Sequence, residues 1–328
     1  MLVLSRSEVE TLLDLDLLVE ALARAMVEVS AGNVSMPPRT AALVPEREAF
    51  LGVMPVHLPS AGMLETKLVS LFPHNAGTGV PTHQAVIVAF DPETGTPVAL
   101  MDATSITEIR TAAGSALATR VLAREDATVL AIVGTGVQAR SHARAVTRVR
   151  HFAEIRVAGR DQAKASRFAE EVSGELGIPA RGAGSYAEAL QGADVVCATT
   201  HAVEPVVRRE WLGPGTHVNS VGLNPRGREV DAETVRDALV VIEARASAFA
   251  PAPAGANDLT WPVRDGVVDQ GHVETEIGEI LAWEKPGRTS PDQITLYKSV
   301  GIAAQDAAAA ALVLAAAADR GAGLEVDL

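Results

Sequence analysis

The sequence predicts an α/β protein of two domains: a doubly wound parallel sheet, and a second, α+β domain. Three observations lead there. From residue 127 onward, short apolar strands alternate with helical stretches, the pattern of a parallel sheet covered on both faces. Before residue 102, extended segments follow one another without helices between them, the pattern of a largely antiparallel sheet. The chain has 328 residues, which is two domains at roughly 150 residues each.

The elements follow in order. Val9, Leu12, Leu13, Leu17, Leu18, Ala21, Leu22, Ala25 and Met26 repeat at helical spacing, so the first element is a helix. Ser7 and Glu10 form a capping-box pattern at its start, and Gly32-Asn33 stop it. Extended segments are expected at 39–44, 50–56, 63–70, 83–91 and 97–101, each bounded by Pro, Gly or Asn. Residues 105–123 read as a long connecting helix. Strands are expected at 128–133, 154–158, 194–199, 217–221 and 239–243, with a helix at 142–149 after the first of them. Residues 295–300 read as extended and 302–319 as a helix that returns to the first domain. The predicted domains are 1–119 with 302–328, and 120–301.

Composition narrows the function. Hydrophobic residues are 48% and charged residues 21%, enough apolar surface for two packed cores. The net charge is −13 and aromatics are only 3%, which disfavours a nucleic-acid partner on charge and on base stacking. A single cysteine, Cys197, excludes an internal disulfide and a thiolate metal cluster. His57, His74 and His83 are not spaced as metal ligands, so no metal is expected. The longest apolar run, residues 307–318, is too short to span roughly 30 Å of hydrocarbon. Acidic Glu8 and Glu10 stand where a secretory signal is apolar. A cytoplasmic location without a membrane partner is therefore expected.

The sharpest motif is Gly134-Thr135-Gly136-Val137-Gln138-Ala139, directly after the apolar strand. G-x-G-x-x-A between a strand and a helix is the Rossmann dinucleotide fingerprint. Gly134 allows the tight turn, Gly136 lets backbone approach a pyrophosphate, and Ala139 lets the helix pack close to the strand. The helix N-terminus then faces the phosphates. The next strand ends at Gly159-Arg160-Asp161. An acid at this end suits the ribose hydroxyls of NAD, and an arginine suits the 2′-phosphate of NADP. Arg160 therefore favours NADP, while Asp161 keeps NAD open. Thr199, at the end of the third strand, belongs to the same expected cofactor set.

Three basic residues stand out in the first domain. Arg39 follows Met36-Pro37-Pro38. Lys67 alternates onto the same face as Glu65 and Val69. Arg110 sits in the connecting helix. Two arginines and a lysine around one pocket would hold an anionic substrate and depress the lysine pKa. Spacing alone does not bring them together. Cys197, inside an apolar strand, reads as a core residue. Ser220 and Ser299 lack a local acyl-transfer motif. The alanine-rich C-terminal helix reads as close helix packing.

These segments together resemble the ornithine cyclodeaminase/mu-crystallin family. The resemblance runs through Met36-Pro-Pro-Arg39-Thr, Glu65-Thr-Lys67-Leu-Val-Ser-Leu-Phe-Pro-His-Asn75, Pro81-Thr-His-Gln84 and Ile106-Thr-Glu-Ile-Arg110-Thr-Ala-Ala113. It continues in Val133-Gly-Thr-Gly-Val-Gln-Ala-Arg-Ser-His142 and Gly287-Arg-Thr-Ser-Pro-Asp-Gln-Ile-Thr-Leu-Tyr-Lys-Ser-Val-Gly301. It implies a substrate and dimerisation domain built from both chain ends, a Rossmann domain between them, and a homodimer. It implies that Arg39, Lys67 and Arg110 bind the substrate carboxylate and that Thr82 lies beside the nicotinamide or substrate. Ser299, Val300 and Gly301 are implied to line the nicotinamide pocket.

One position departs from the cyclodeaminase pattern. Asn224 falls where cyclodeaminases and alanine dehydrogenases of the family carry an aspartate for acid–base chemistry on the substrate amine. An amide hydrogen-bonds an amine but does not take its proton, and the family's ketimine reductases also lack the acid. Lys67 and Asn224 are thus the expected catalytic positions. The implied activity is NAD(P)H-dependent reduction of a small cyclic imino acid such as pyrroline-2-carboxylate. The alternatives are an ornithine cyclodeaminase-type ammonia lyase, an amino-acid dehydrogenase, and a non-catalytic binder of a dinucleotide or small ligand.

Overall fold

The computed structural model describes residues 1–251 and 254–327. Its strands are β1 (Leu2–Leu4), β2 (Thr40–Val44), β3 (Ala49–Leu58), β4 (Met63–Leu71), β5 (His83–Phe90), β6 (Pro97–Asp102), β7 (Val129–Val133), β8 (Glu154–Ala158), β9 (Ala180–Gly182), β10 (Val195–Ala198), β11 (His217–Ser220), β12 (Leu239–Ile242), β13 (Thr275–Glu276), β14 (Thr295–Lys298) and β15 (Leu324–Glu325). They form two sheets, one in each of two compact units. One unit is residues 1–110 with 302–328, and the other is 111–301. The division falls at Arg110, inside the helix Thr104–Leu122, rather than at residue 119.

In the first unit, strands run in the order β15-β1-β6-β5-β4-β3-β2. The run β2 to β6 is an antiparallel meander, whereas β1 joins β6 in parallel. Alternation divides its two faces. Met54, Val56, Met63, Glu65, Lys67, Ile87, Ala89, Ala99 and Met101 are buried on one face. The helices Leu15–Ser30 and Ala303–Arg320 pack against each other, and the second lies on β3 and β4. Its first two turns are buried and are alanine apart from Gln305 and Asp306, and small side chains let a helix approach closely. The opposite face is apolar too, with Leu51 45%, Val86 38% and Val98 38% exposed.

In the second unit, all strands are parallel, in the order β13-β12-β14-β11-β10-β7-β8-β9. This is a Rossmann-type α/β sheet. β10, β11 and β14 are buried along their whole length, as expected of strands covered on both faces.

Several local expectations change. The first helix is two helices, Arg6–Leu12 and Leu15–Ser30. Asp14 caps the second by accepting from Leu17 N, and the capping box of the first is Ser5 with Glu8, not Ser7 with Glu10. The helix after the nucleotide loop is Val137–Val146, five residues earlier than its start by periodicity. Its first turn, residues 137–140, lies within the nucleotide motif and buries only the small Ala139. β1, β9, β13 and β15 are too short to leave a period in the sequence.

Candidate active site

Lys67 sits mid-way along β4, in one register row with Met54, Ile87 and Met101. It is 2% exposed. A buried ammonium needs an anionic partner, and the C-terminal helix supplies it. Lys67 Nζ donates to Asp306 Oδ2 at 2.6 Å and to Thr107 Oγ1 at 3.5 Å. Thr107 and Arg110 share a face of their helix through i, i+3 spacing. Arg110 donates from Nε to Asp306 Oδ1 at 2.9 Å and from Nη1 to Gln305 Oε1 at 3.0 Å. One carboxylate thus joins two cations.

Two cations against one anion leave this cluster positive. Burial pulls the Lys67 pKa down to about 8; Asp306 opposes that shift and Arg110 adds to it. Burial alone would raise Asp306, but Arg110 and Lys67 together hold it below the usual carboxylate value. His83, on the same side of β5 as Ile87, is lowered to about 4 by burial and then by Lys67 and Arg110. It is a neutral imidazole at physiological pH.

Arg39 is half-buried and immediately precedes β2, whose register puts it in the row of Met54 and Lys67. Thr82 is half-buried beside His83, and its carbonyl accepts from Phe72 N at 2.8 Å. The hydrogen-bonded cluster itself joins Lys67 and Arg110 through Asp306.

The nucleotide loop lies in the second unit. Gly134 has φ +122°, a conformation open to glycine. A Cβ there would fall 2.5 Å from Thr199 Oγ1 and 3.0 Å from the Thr199 carbonyl oxygen. Thr199 is fixed by donating from Oγ1 to Val133 O at 2.9 Å, so it shapes the floor of the turn. Gly136 starts the helix without a side-chain cap, and the space beside it is open. Val137 is exposed, Ala139 is buried, and the half-buried Gln138 has a buried Oε1 without a hydrogen-bond partner. Thr135 lies against Gly159. An open cradle and an uncapped helix N-terminus fit a dinucleotide phosphate.

At the end of β8, Arg160 is exposed and its charge acts on Tyr186. Asp161 is the N-cap of the helix Gln162–Leu176, accepting from Lys164 N at 3.0 Å. Its pKa is lowered chiefly by that bond, with Lys164 and Arg167 adding to the effect.

Two buried carboxylates build the neighbouring loops. Glu243 accepts from Ser299 Oγ at 2.8 Å, Val300 N at 2.9 Å, Gly301 N at 2.8 Å and Tyr297 Oη at 3.2 Å. The Ser299 side chain is therefore engaged inward. Glu229 accepts from Ser220 Oγ and Gly222 N, at 2.8 and 2.7 Å. Lys298 adds an ion pair to Asp258 at 3.0 Å. Asn224 donates from Nδ2 to the carbonyls of His201 and Ala202, at 2.9 and 3.2 Å, and accepts from Arg226 N at 2.9 Å. Its amide staples two loops together, a use that sequence reading did not anticipate.

The sequence matches the ornithine cyclodeaminase/mu-crystallin family over residues 1–321. The chain belongs to that family. It is 37% identical to the ketimine reductase mu-crystallin of Mus musculus over 301 residues, 90% of this chain and 91% of that protein. Among solved structures it is similar to the Thermococcus litoralis Delta(1)-pyrroline-2-carboxylate reductase in complex with NADH and L-proline. The TM-score there is 0.94 at 40% identity, covering 99% of this chain and 100% of that one. It is similar also to an archaeal alanine dehydrogenase dimer with bound NAD, with TM-score 0.91, 32% identity, and coverage of 100% and 99%.

Within this ornithine cyclodeaminase/mu-crystallin chain, sequence reading missed Asp306 and Glu243. Asp306 interrupts an alanine run. An acid inside an apolar helix face is itself a signal, because a buried charge requires partners. Cys197 is buried and its thiol is pushed up to about 12 by burial, as befits a core residue.

Proposed function

We propose that this protein is an NAD(P)H-dependent reductase of small cyclic imino acids of the pyrroline-2-carboxylate type. The observation that carries the reading is the buried Lys67–Asp306–Arg110 cluster. It is a preformed positive site whose lysine exchanges a proton near neutral pH. Relatives described as ketimine reductase and pyrroline-2-carboxylate reductase support the same chemistry.

The role assigned to Arg110 follows from its remaining donor. Arg110 spends Nε and Nη1 on Asp306 and Gln305, which leaves Nη2 to grip a carboxylate. Arg39 is assigned the second grip. Lys67 holds a proton for the imine nitrogen and a hydrogen bond for the carboxylate. Fixing the substrate in this way lowers the entropic part of the barrier. The dinucleotide, when bound, supplies the hydride. Gly134 through Ala139, with Thr135 against Gly159, are assigned to hold its phosphates; the segment Ser299–Gly301, set by Glu243, is assigned to the nicotinamide. NADP is favoured, because Asp161 is occupied as a helix cap while Arg160, Lys164 and Arg167 lie around the end of β8. A homodimer is proposed through the exposed apolar face of the first sheet, around Leu51, Val86 and Val98. The likeness to a dimeric alanine dehydrogenase supports it.

The test is nicotinamide absorbance with pyrroline-2-carboxylate, using NADPH and NADH in parallel. Consumption with NADPH faster than with NADH is expected. No consumption, with ammonia released from ornithine and NAD, would replace the reading with cyclodeamination. Lys67→Met should lower kcat about a hundredfold or more while dinucleotide affinity stays unchanged.

A further inference from the structure

Glu65 is 2% exposed, and neither of its carboxyl oxygens has a hydrogen-bond partner. It stands two residues before Lys67 on the same face of β4, in the row of Val56, Ala89 and Ala99. The alanine turns of the helix Ala303–Arg320, which packs on this strand, carry Asp306. The charged groups that act on it are Asp306, on the helix packed against this strand, and Lys67 on its own strand; Arg110 and His83 lie at the Lys67 end of the cluster, where Asp102 also acts on His83. The buried residues of β3, β6 and the helix Leu15–Ser30 on this side are apolar. Such surroundings penalise a carboxylate. Burial pushes the Glu65 carboxyl well above its ordinary range, Asp306 pushes it further, and Lys67 opposes. No hydrogen bond of the fold uses either oxygen of this acid. Leaving it unpaired costs stability.

We propose that Glu65 is the proton partner of Lys67, a positioning residue that holds a second proton in the buried cluster and sets the lysine's proton affinity. This rests on the reductase reading. Reduction of a neutral imine takes one hydride at carbon and one proton at nitrogen. Lys67 breaks an N–H bond to protonate the imine nitrogen and is left as a neutral amine. The Glu65 O–H then breaks to restore the ammonium, leaving a carboxylate next to it. That carboxylate regains its proton from water, so each turnover takes one proton from solvent.

The test compares pH profiles of kcat/KM for wild type and Glu65→Gln, with dinucleotide binding as the control for folding. Glutamine keeps the shape and removes the exchangeable proton. The expected result is unchanged dinucleotide affinity, about a tenfold loss of kcat, and an alkaline limb moved to lower pH by about one unit. The limb moves down because an ionised Glu65 favours the Lys67 ammonium, and an amide does not. Superimposable profiles would overturn the proposal. Infrared difference spectra of the unmodified protein between neutral and alkaline pH give a second, independent measurement. A protonated-carboxyl carbonyl band at neutral pH that fades on raising the pH is expected, and its absence would also overturn the proposal. Wild-type protein that reduces no imino acid would instead defeat the reductase reading, and the infrared result would still stand.

Discussion

Asp306 holds two cations with separate oxygens: Oδ2 is 2.6 Å from Lys67 Nζ and Oδ1 is 2.9 Å from Arg110 Nε. Its partners come from β4 and the helix Thr104–Leu122, so three stretches distant in sequence meet on one carboxylate. Removing one member of a buried ion pair leaves uncompensated charge at about 3–5 kcal/mol. Asp306→Asn is expected to lower unfolding free energy by about 3 kcal/mol or more. It should also weaken imino-acid binding, since Lys67 and Arg110 lose their common anchor. Urea titration and substrate KM check the two effects separately. A variant of wild-type stability would show that the anchor is dispensable.

The proton on Lys67 sets a pH limit. Its lowered value, about 8, means the ammonium dominates below that pH and the neutral amine above it. Since the imine nitrogen needs the proton, kcat/KM should be level near pH 7 and fall about tenfold per unit well above pH 8. Lys67→Arg stays charged throughout. It should show a flat alkaline profile at a much reduced rate. A limb that survives in Lys67→Arg would assign the titration to another group. His83, held near 4, contributes no limb in this range.

The nucleotide loop makes a sharper steric prediction. Gly134→Ala puts a methyl 2.5 Å from Thr199 Oγ1 at a positive φ. Thr199 is pinned to Val133 by its hydroxyl and its amide, so the loop must shift instead. Dinucleotide affinity should fall by at least about tenfold, from misplaced backbone N–H groups. Fluorescence titration with NADPH measures it. Thr199→Ala removes only the hydroxyl contact, and in the Gly134→Ala background it should restore part of the loss.

How much of this was legible in the sequence follows from the range of each signal. Gly134 and Gly136 announce themselves because the strand, loop and helix around them are contiguous. The register row of Met54, Lys67 and Ile87 follows from alternation once the strands are found. Asp306 lies 239 residues from Lys67, and no local pattern ties them. Only the oddity of an acid in an alanine run marks it. Glu65 was visible on Lys67's face, but its lack of partners is a property of packing. The Val137–Val146 helix starts early because its first turn, residues 137–140, belongs to the nucleotide motif and buries only the small Ala139, so apolar periodicity begins late. Asn224 was legible only in part, for a related reason. Its place in the family pattern marks it in the sequence, whereas the engagement of its amide hydrogens by two backbone carbonyls is visible only in the packed loops.

That geometry yields the last prediction. If Asn224 merely replaced a catalytic aspartate, Asn224→Asp would restore acid–base capacity and with it ammonia release from ornithine. The loop geometry predicts otherwise. Asn224 Nδ2 donates to His201 O and Ala202 O. A carboxylate oxygen in its place would face two carbonyl oxygens with no proton between them. The bond from Arg226 N to the retained oxygen survives, but the His201 and Ala202 carbonyls lose their donor and gain a repulsion, a cost of roughly 1–3 kcal/mol. Asn224→Asp should therefore lower thermal stability and kcat together, and release no ammonia from ornithine with NAD. Asn224→Ser replaces two amide N–H donors by one shorter hydroxyl without adding charge, and should fall between wild type and Asn224→Asp. Ammonia production by Asn224→Asp at wild-type stability would show that this loop is free to aim residue 224 at substrate.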